Sequence, residues 1–258
     1  MNLQLHGKTA LITGSTKGIG FAIAKWLAAE GANVIVNGRT GESARVAAEK
    51  IGAGARGIGA DVSTAAGCAA LVAQAPAVDI LVNNAGIFEP KPFAEIPDAD
   101  WDRFYQVNVM SGVRLTRAYL PGMLARNWGR VIFISSESGE QIPAEMIHNG
   151  MTKAAQLALV NGLAQLTRGT AVTVNGVLPG PTASEGVTDF VDQLAAGAKQ
   201  TPAEFEKEFF RSVRPTSLLQ RFAQVDEVAS TVAYLCSPLA AATNGAAVRA
   251  DGGVIRGT

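Results

Sequence analysis

The residues of this chain predict a Rossmann-type α/β fold: a doubly wound parallel sheet of about seven strands, helices on both faces, one domain. Three observations lead there. Short apolar runs alternate with helical stretches along the whole length of 258 residues. The runs are almost continuously apolar, as burial on both faces of a parallel sheet requires. A glycine cluster follows the first run and opens the first helix, where a dinucleotide-binding unit places its phosphate turn.

The elements read in order. Lys8 to Thr13 is the first strand, and Ile19 to Glu30 the first helix. Asn33 to Asn37 is the second strand, then a helix from Glu42 to Ile51 and a third strand from Ala55 to Ala60. A helix near Ala65 to Gln74 leads to the fourth strand, Asp79 to Asn83. One long helical pattern covers Asp98 to Ala125, before a fifth strand at Arg130 to Ser135. Met146 to Thr167 is a second long helix, and Ala171 to Leu178 the sixth strand. Helical stretches near Thr188 to Arg211 and Gln224 to Cys236 precede a last strand at Ala247 to Ala250. No linker or repeat divides residues 1–258, so a single dinucleotide-binding domain is expected. Residues 183–214 break the alternation and hold Phe190, Phe205, Phe209 and Phe210 among charges. An insertion of that kind beside a site predicts a substrate lid, and the plainer reading is a surface helix pair packing its own aromatics.

Composition removes several functions. Lys plus Arg and Asp plus Glu both number 22. Nucleic-acid binding needs a basic excess, so no such partner is expected. Cys68 and Cys236 have no ligand partners at metal spacing, which predicts no metal site and a reducing compartment. No run approaches the ~20 apolar residues that span a bilayer. Met1 to Gly7 has neither a basic n-region nor an apolar run. The expectation is a cytoplasmic protein without a membrane partner.

The turn Thr13-Gly14-Ser15-Thr16-Lys17-Gly18-Ile19-Gly20 can bring backbone N–H groups and a helix N-terminus to a pyrophosphate. At the end of the second strand, where NAD-binding chains carry an acid, stands Gly38, followed by Arg39. With Lys17 nearby, two cations and no carboxylate favour the 2′-phosphate of NADP(H), leaving NAD(H) as the alternative.

These residues resemble the classical short-chain dehydrogenase/reductase (SDR) family. Gly14, Gly18 and Gly20 have its TGxxxGxG spacing, and Asn83-Asn84-Ala85-Gly86 is similar to its NNAG run. Asp61-Val62, Asn108, Ser136, Lys153, Pro179-Gly180 and Asp251-Gly252-Gly253 match further motifs in order, over essentially the whole chain. The resemblance implies cofactor contacts from Gly14, Ser15, Thr16, Lys17, Gly18, Ile19, Gly20, Arg39, Asp61, Val62, Asn83, Ala85, Gly86, Lys153, Pro179, Gly180 and Thr182. It implies a catalytic set of Ser136, Lys153 and Asn108, acting on a small carbonyl or secondary alcohol, in a homotetramer or homodimer. It also implies a tyrosine four residues before Lys153, and Asn149 stands there instead. A carboxamide does not ionise in the useful range, so it cannot take an alcohol's proton. The expectation is an NAD(P)-dependent oxidoreductase with impaired or altered activity at this active-site substitution. An inactive NADP-binding regulatory module, and non-ketone chemistry such as a lyase or imine reduction, are the alternatives. His148 and Glu145 are the surrogate acids to test, together with a water held by Ser136, Asn149 and Asn108. The pocket is expected near Phe88, Gln141, Pro143, Met146 and Ser184.

Overall fold

The computed structural model describes residues 2–187 and 200–257. Nine strands and eight named helices appear among them. β1 is Thr9–Ile12, α1 Gly18–Ala29, β2 Asn33–Gly38, α2 Gly41–Ile51, β3 Arg56–Gly59, α3 Ala65–Gln74 and β4 Ile80–Asn83. α4 is Asp98–Phe104, α5 Ser111–Ala125, β5 Gly129–Ile134, α6 Ile147–Gln165 and β6 Val172–Pro179. β7 is Thr182–Ala183, α7 Pro202–Ser212, β8 Ala223–Gln224, α8 Val225–Cys236 and β9 Ala247–Ala250.

Seven strands form one parallel sheet in the order β3-β2-β1-β4-β5-β6-β9. The order reverses between β1 and β4, so the loops leaving their carboxyl ends open a crevice there. Registers such as Leu11↔Ile35 and Leu11↔Leu81 keep neighbouring strands level across that switch.

Each strand sends alternate side chains to opposite cores. Ala10, Ile12, Val34, Val36, Ile80, Val82, Ile132 and Ile134 join Ile23 and Leu27 of α1 and Val228 and Val232 of α8. Leu11, Ile35, Leu81, Val131 and Phe133 join Leu71 of α3, Leu115 and Tyr119 of α5 and Val160 of α6. Continuous apolar runs are thus two alternating patterns superposed, one for each face. Arg130, 1% exposed inside this sheet, donates to the carbonyls of Ser237, Gly129 and Ala171, which keeps its charge solvated by backbone.

Three features depart from the sequence expectations. The long helix from Asp98 is continuous but widens into a π-helical turn at Tyr105–Met110. A second, two-stranded sheet pairs β7 with β8, with Thr182 opposite Ala223. The fifth strand stops at Ile134, one residue short of the expected Ser135, and Ser136 beyond it caps a 3₁₀ turn at Glu137–Gly139. The expected lid lies partly outside the described residues, Phe190 included. In its described part, Phe209 and Phe210 form an aromatic cluster with Phe222, ring centroids 5.2 Å apart.

Candidate active site

Parallel topology brings the carboxyl ends of β1, β2, β4, β5 and β6 to one edge. The glycine turn is built for close approach. Gly14 and Gly18 take φ of 59° and 61°, a region that costs other residues strain. A Cβ on Gly20 would lie 2.4 Å from Asn84 Nδ2 and 2.7 Å from the Gly14 carbonyl oxygen. Asn84 Nδ2 donates to the carbonyls of Thr13 and Gly14, and Thr13 Oγ1 accepts from the N–H groups of Asn84 and Ala85. The first glycine loop and the Asn83–Gly86 segment are therefore one hydrogen-bonded body. Gly20→Ala is expected to cost roughly 1–3 kcal/mol through overpacking. Gly162→Ala in α6 meets nothing within 4 Å and should stabilise by about 0.5–1 kcal/mol. Urea unfolding of both variants checks the pair.

α1 begins without a side-chain cap. The Gly18 N–H instead donates to Glu185 Oε2 at 2.7 Å. A carboxylate thus sits on an amide of the phosphate turn, which shows that this helix end accepts an anion. A cavity of about 350 Å³ opens here, lined by Lys17, Gly18, Asn84, Gly86, Phe88, Ser184 and Glu185 among others. Of the expected pocket residues, Phe88 and Ser184 line it.

At the end of β2, a Cβ on Gly38 would meet Thr16 Cγ2 at 2.5 Å and Ser43 Oγ at 2.8 Å. An acidic side chain does not fit there without moving both. Arg39 and Lys17 are exposed nearby in sequence, on the two loops. Val62 is buried, and Asp61 caps the following turn by accepting from the Ser63 N–H.

α6 carries Asn149 and Lys153 one turn apart, which puts them on one face. Lys153 Nζ donates to the Ile134 carbonyl at 2.9 Å. Desolvation pulls its ammonium down to about 8, against the opposing pull of the Glu137 carboxylate. A Cβ on Gly86 would lie 3.6 Å from Lys153 Nζ and 3.5 Å from Asn108 Oδ1. These two groups therefore flank the Asn83–Gly86 loop. Asn108, in the π-helical turn, accepts from the Ile87 N–H and donates to Thr152 Oγ1. Thr152 Oγ1 in turn donates to the Asn149 carbonyl at 2.7 Å. Asn149 is 3% exposed; its Nδ2 reaches only Met146 Sδ at 3.8 Å, and its Oδ1 has no partner among the described residues.

Ser136 Oγ donates to Glu137 Oε2 and accepts from the Ser138 N–H at 3.1 Å. Glu137 Oε1 accepts from Arg214 Nε at 3.0 Å, with the two side chains only 6% and 8% exposed. Arg214 Nη1 also reaches Glu145 Oε1 at 3.0 Å. Sequence reading missed this buried pair, since 77 residues separate its members.

Neither surrogate acid is placed for proton transfer. His148 is fully buried, its ring 4.0 Å from Phe104 and 5.9 Å from Trp101, and both ring nitrogens lack partners. Burial lowers its pKa, which favours the neutral ring. Glu145 is engaged by Arg214. The tyrosines are elsewhere: Tyr119 donates to the Ala75 carbonyl and is pushed up to about 12 by burial, and Tyr105 and Tyr234 are exposed. Among the described residues no cluster of three metal-ligating side chains occurs, and no helix is long and apolar enough to cross a membrane.

Comparison with known proteins agrees with this geometry. The family model described as short chain dehydrogenase matches residues 8–195. An uncharacterized oxidoreductase of Bacillus subtilis, YvaG, is 49% identical, with 99% of each chain covered. D-beta-hydroxybutyrate dehydrogenase of Cupriavidus necator is 36% identical over 97% of this chain and 98% of its own. The crystal structure of L-sorbose reductase from Gluconobacter frateurii, complexed with NADPH and L-sorbose, superposes with a TM-score of 0.90 at 32% identity, covering 100% of both chains. With the family model matched over most of its length and relatives well above 30% identical along nearly all of it, this chain belongs to the short-chain dehydrogenase/reductase family of oxidoreductases.

Proposed function

We propose that the chain binds NADP(H) and interconverts a carbonyl and its secondary alcohol, at a rate held down by the amide at position 149. The observation that carries this reading is the set of side chains at one strand edge. Lys153, Asn108 and Gly86 adjoin, while Asn149 lies buried one helical turn from Lys153, its side-chain amide oxygen without a partner among the described residues. In this reading Asn149 takes the place of the family's phenol, the site's acid and base.

The dinucleotide supplies or accepts hydride when bound. The rest is done by protein groups. Gly14 to Gly20 hold the pyrophosphate through backbone N–H groups, with Glu185 as the present stand-in for its charge. Lys153 holds the nicotinamide ribose, Asn83, Ala85 and Gly86 flank it, and Pro179, Gly180 and Thr182 border the nicotinamide. Asn108 fixes the end of the α6 face through Thr152. Asn149 can donate one N–H to a carbonyl oxygen but holds no labile proton.

Closed space at Gly38 and the cations Arg39 and Lys17 support NADP(H) over NAD(H). Arg39→Glu should weaken NADPH binding about 10–100-fold, the worth of a charge-assisted hydrogen bond of roughly 1.5–3 kcal/mol. NADH binding should change far less; fluorescence titration with both cofactors reads the difference.

The substrate class is a medium-sized, mostly apolar carbonyl, and residues 183–214 serve as its lid. A homotetramer or homodimer in the cytoplasm completes the reading; an apolar surface on α5 and α6, including Val113, Ala155, Leu159 and Leu163, supports the assembly. Light scattering tests the assembly. NADPH binding followed by turnover on a ketone panel, for this chain and for Asn149→Tyr, tests the chemistry. Tight binding with no gain from tyrosine would point to a regulatory module, and better turnover with asparagine to other chemistry.

A further inference from the structure

Resting on that reading, we propose that Ser136 and Glu137 form a proton relay that takes over the acid and base role in this chain, read most directly in alcohol oxidation. Ser136 is partly exposed, whereas its neighbour Glu137 is buried. An ionised carboxylate only accepts, so the hydrogen shared between Ser136 Oγ and Glu137 Oε2 belongs to the serine. The same Oγ already accepts from the Ser138 N–H. What Ser136 has left to offer is one lone pair. A hydroxyl in that state can accept the O–H of an alcohol, and in the reverse direction it passes on the proton that Glu137 returns to it.

The step balances as follows. The alcohol's C–H bond breaks, and its electron pair leaves as hydride to the oxidised nicotinamide. The alcohol's O–H proton moves to Ser136 Oγ as the serine's own proton moves to Glu137 Oε2, and the C=O bond forms. Glu137 then returns its proton to solvent by the same path. Arg214 donates to Glu137 Oε1, which leaves the other carboxylate oxygen on Ser136 Oγ. The same path run backwards delivers the proton in ketone reduction, so the relay serves both directions. Asn149 lets the relay matter because it brings no competing proton acceptor to the same face of α6. Sequence spacing gave no hint of this role, since Glu137 is an ordinary neighbour in Ser135-Ser136-Glu137-Ser138-Gly139.

The test measures NADP⁺-dependent oxidation of a panel of secondary alcohols in mixtures of H₂O and D₂O. The unsubstituted chain should show residual oxidation whose rate bows downward with deuterium fraction, as two protons in flight require. Glu137→Gln should lower it by about 100-fold or more, the usual worth of a positioned base. In the Asn149→Tyr background the same substitution should cost at least about tenfold less, because the phenol then takes the proton directly. A purely structural glutamate would cost both backgrounds alike and leave the isotope dependence straight. Thermal melting and NADPH titration establish that Glu137→Gln is folded. If it is not, the isotope dependence of the unsubstituted chain decides alone. A linear dependence, equal losses in both backgrounds, or no alcohol oxidation above the uncatalysed rate overturns the relay. The carbonyl/alcohol reading stands or falls separately, on whether Asn149→Tyr gains ketone reduction.

Discussion

Asn149→Tyr raises NADPH-dependent ketone reduction by about 10²–10⁴-fold, the contribution of one positioned acid in general acid–base catalysis. The position is suited to it. Asn149 shares a helix face with Lys153, whose nitrogen is held by the Ile134 carbonyl and sits close to Asn108 and the Gly86 loop. A phenol there would lie near a cation and lose its proton more readily than in water. Room must come from Met146, whose thioether now touches the amide and whose unbranched chain can swing aside. Asn149 is not among the proposed cofactor contacts, so the NADPH dissociation constant should move by less than about threefold, under 1 kcal/mol. Steady-state rates on a ketone panel, beside a binding titration, measure both quantities. Unchanged ketone turnover with intact NADPH binding would remove the reading of Asn149 as the missing acid.

Arg214→Ala destabilises the fold by about 3–5 kcal/mol, because it strands the buried Glu137 carboxylate without its partner. For a chain of this size each kcal/mol is worth about 2–4 °C, so the melting temperature should fall by roughly 6–20 °C. Arg221, paired with Glu227 at 2.9 Å but with both side chains more than two-fifths exposed, provides the contrast. Arg221→Ala should cost no more than about 1 kcal/mol, since water already screens that pair. Differential scanning calorimetry on the two variants decides, and similar losses would mean that burial of the Arg214 pair carries no special weight. Replacing both partners together, with Glu137→Leu and Arg214→Met, should recover much of the loss, since no lone charge is then left inside.

The fold was largely legible in the residues. Strands buried on both faces leave unbroken apolar runs, and α3 and β9 begin and end where those patterns do. The glycine turn was legible too, because strand, glycines and helix follow one another without a gap. Other features have no local signature. Strands of two residues, β7 and β8, are too short to show a period. The π-helical turn keeps the composition of an ordinary helix. His148 looked like an available imidazole until the rings of Phe104 and Trp101 were seen to enclose it. The Glu137–Arg214 pair depends on tertiary approach alone. The packing of Phe210 against Phe222 had no local signature either, since it depends on tertiary approach.

The widened turn at Tyr105–Met110 has a consequence for how this helix tolerates change. An α-helix advances about 100° per residue, so one surplus residue sets everything before it at a new angle to everything after it. Upstream, that offset aims Trp101 and Phe104 at His148; downstream, it leaves Leu115 and Tyr119 against the sheet. A one-residue deletion would close the bulge and rotate the upstream aromatics off the imidazole, while Asn108 would lose its hold on Ile87. The two ends of the helix are thus locked to a single count of residues between them, and length at this spot is constrained more tightly than identity.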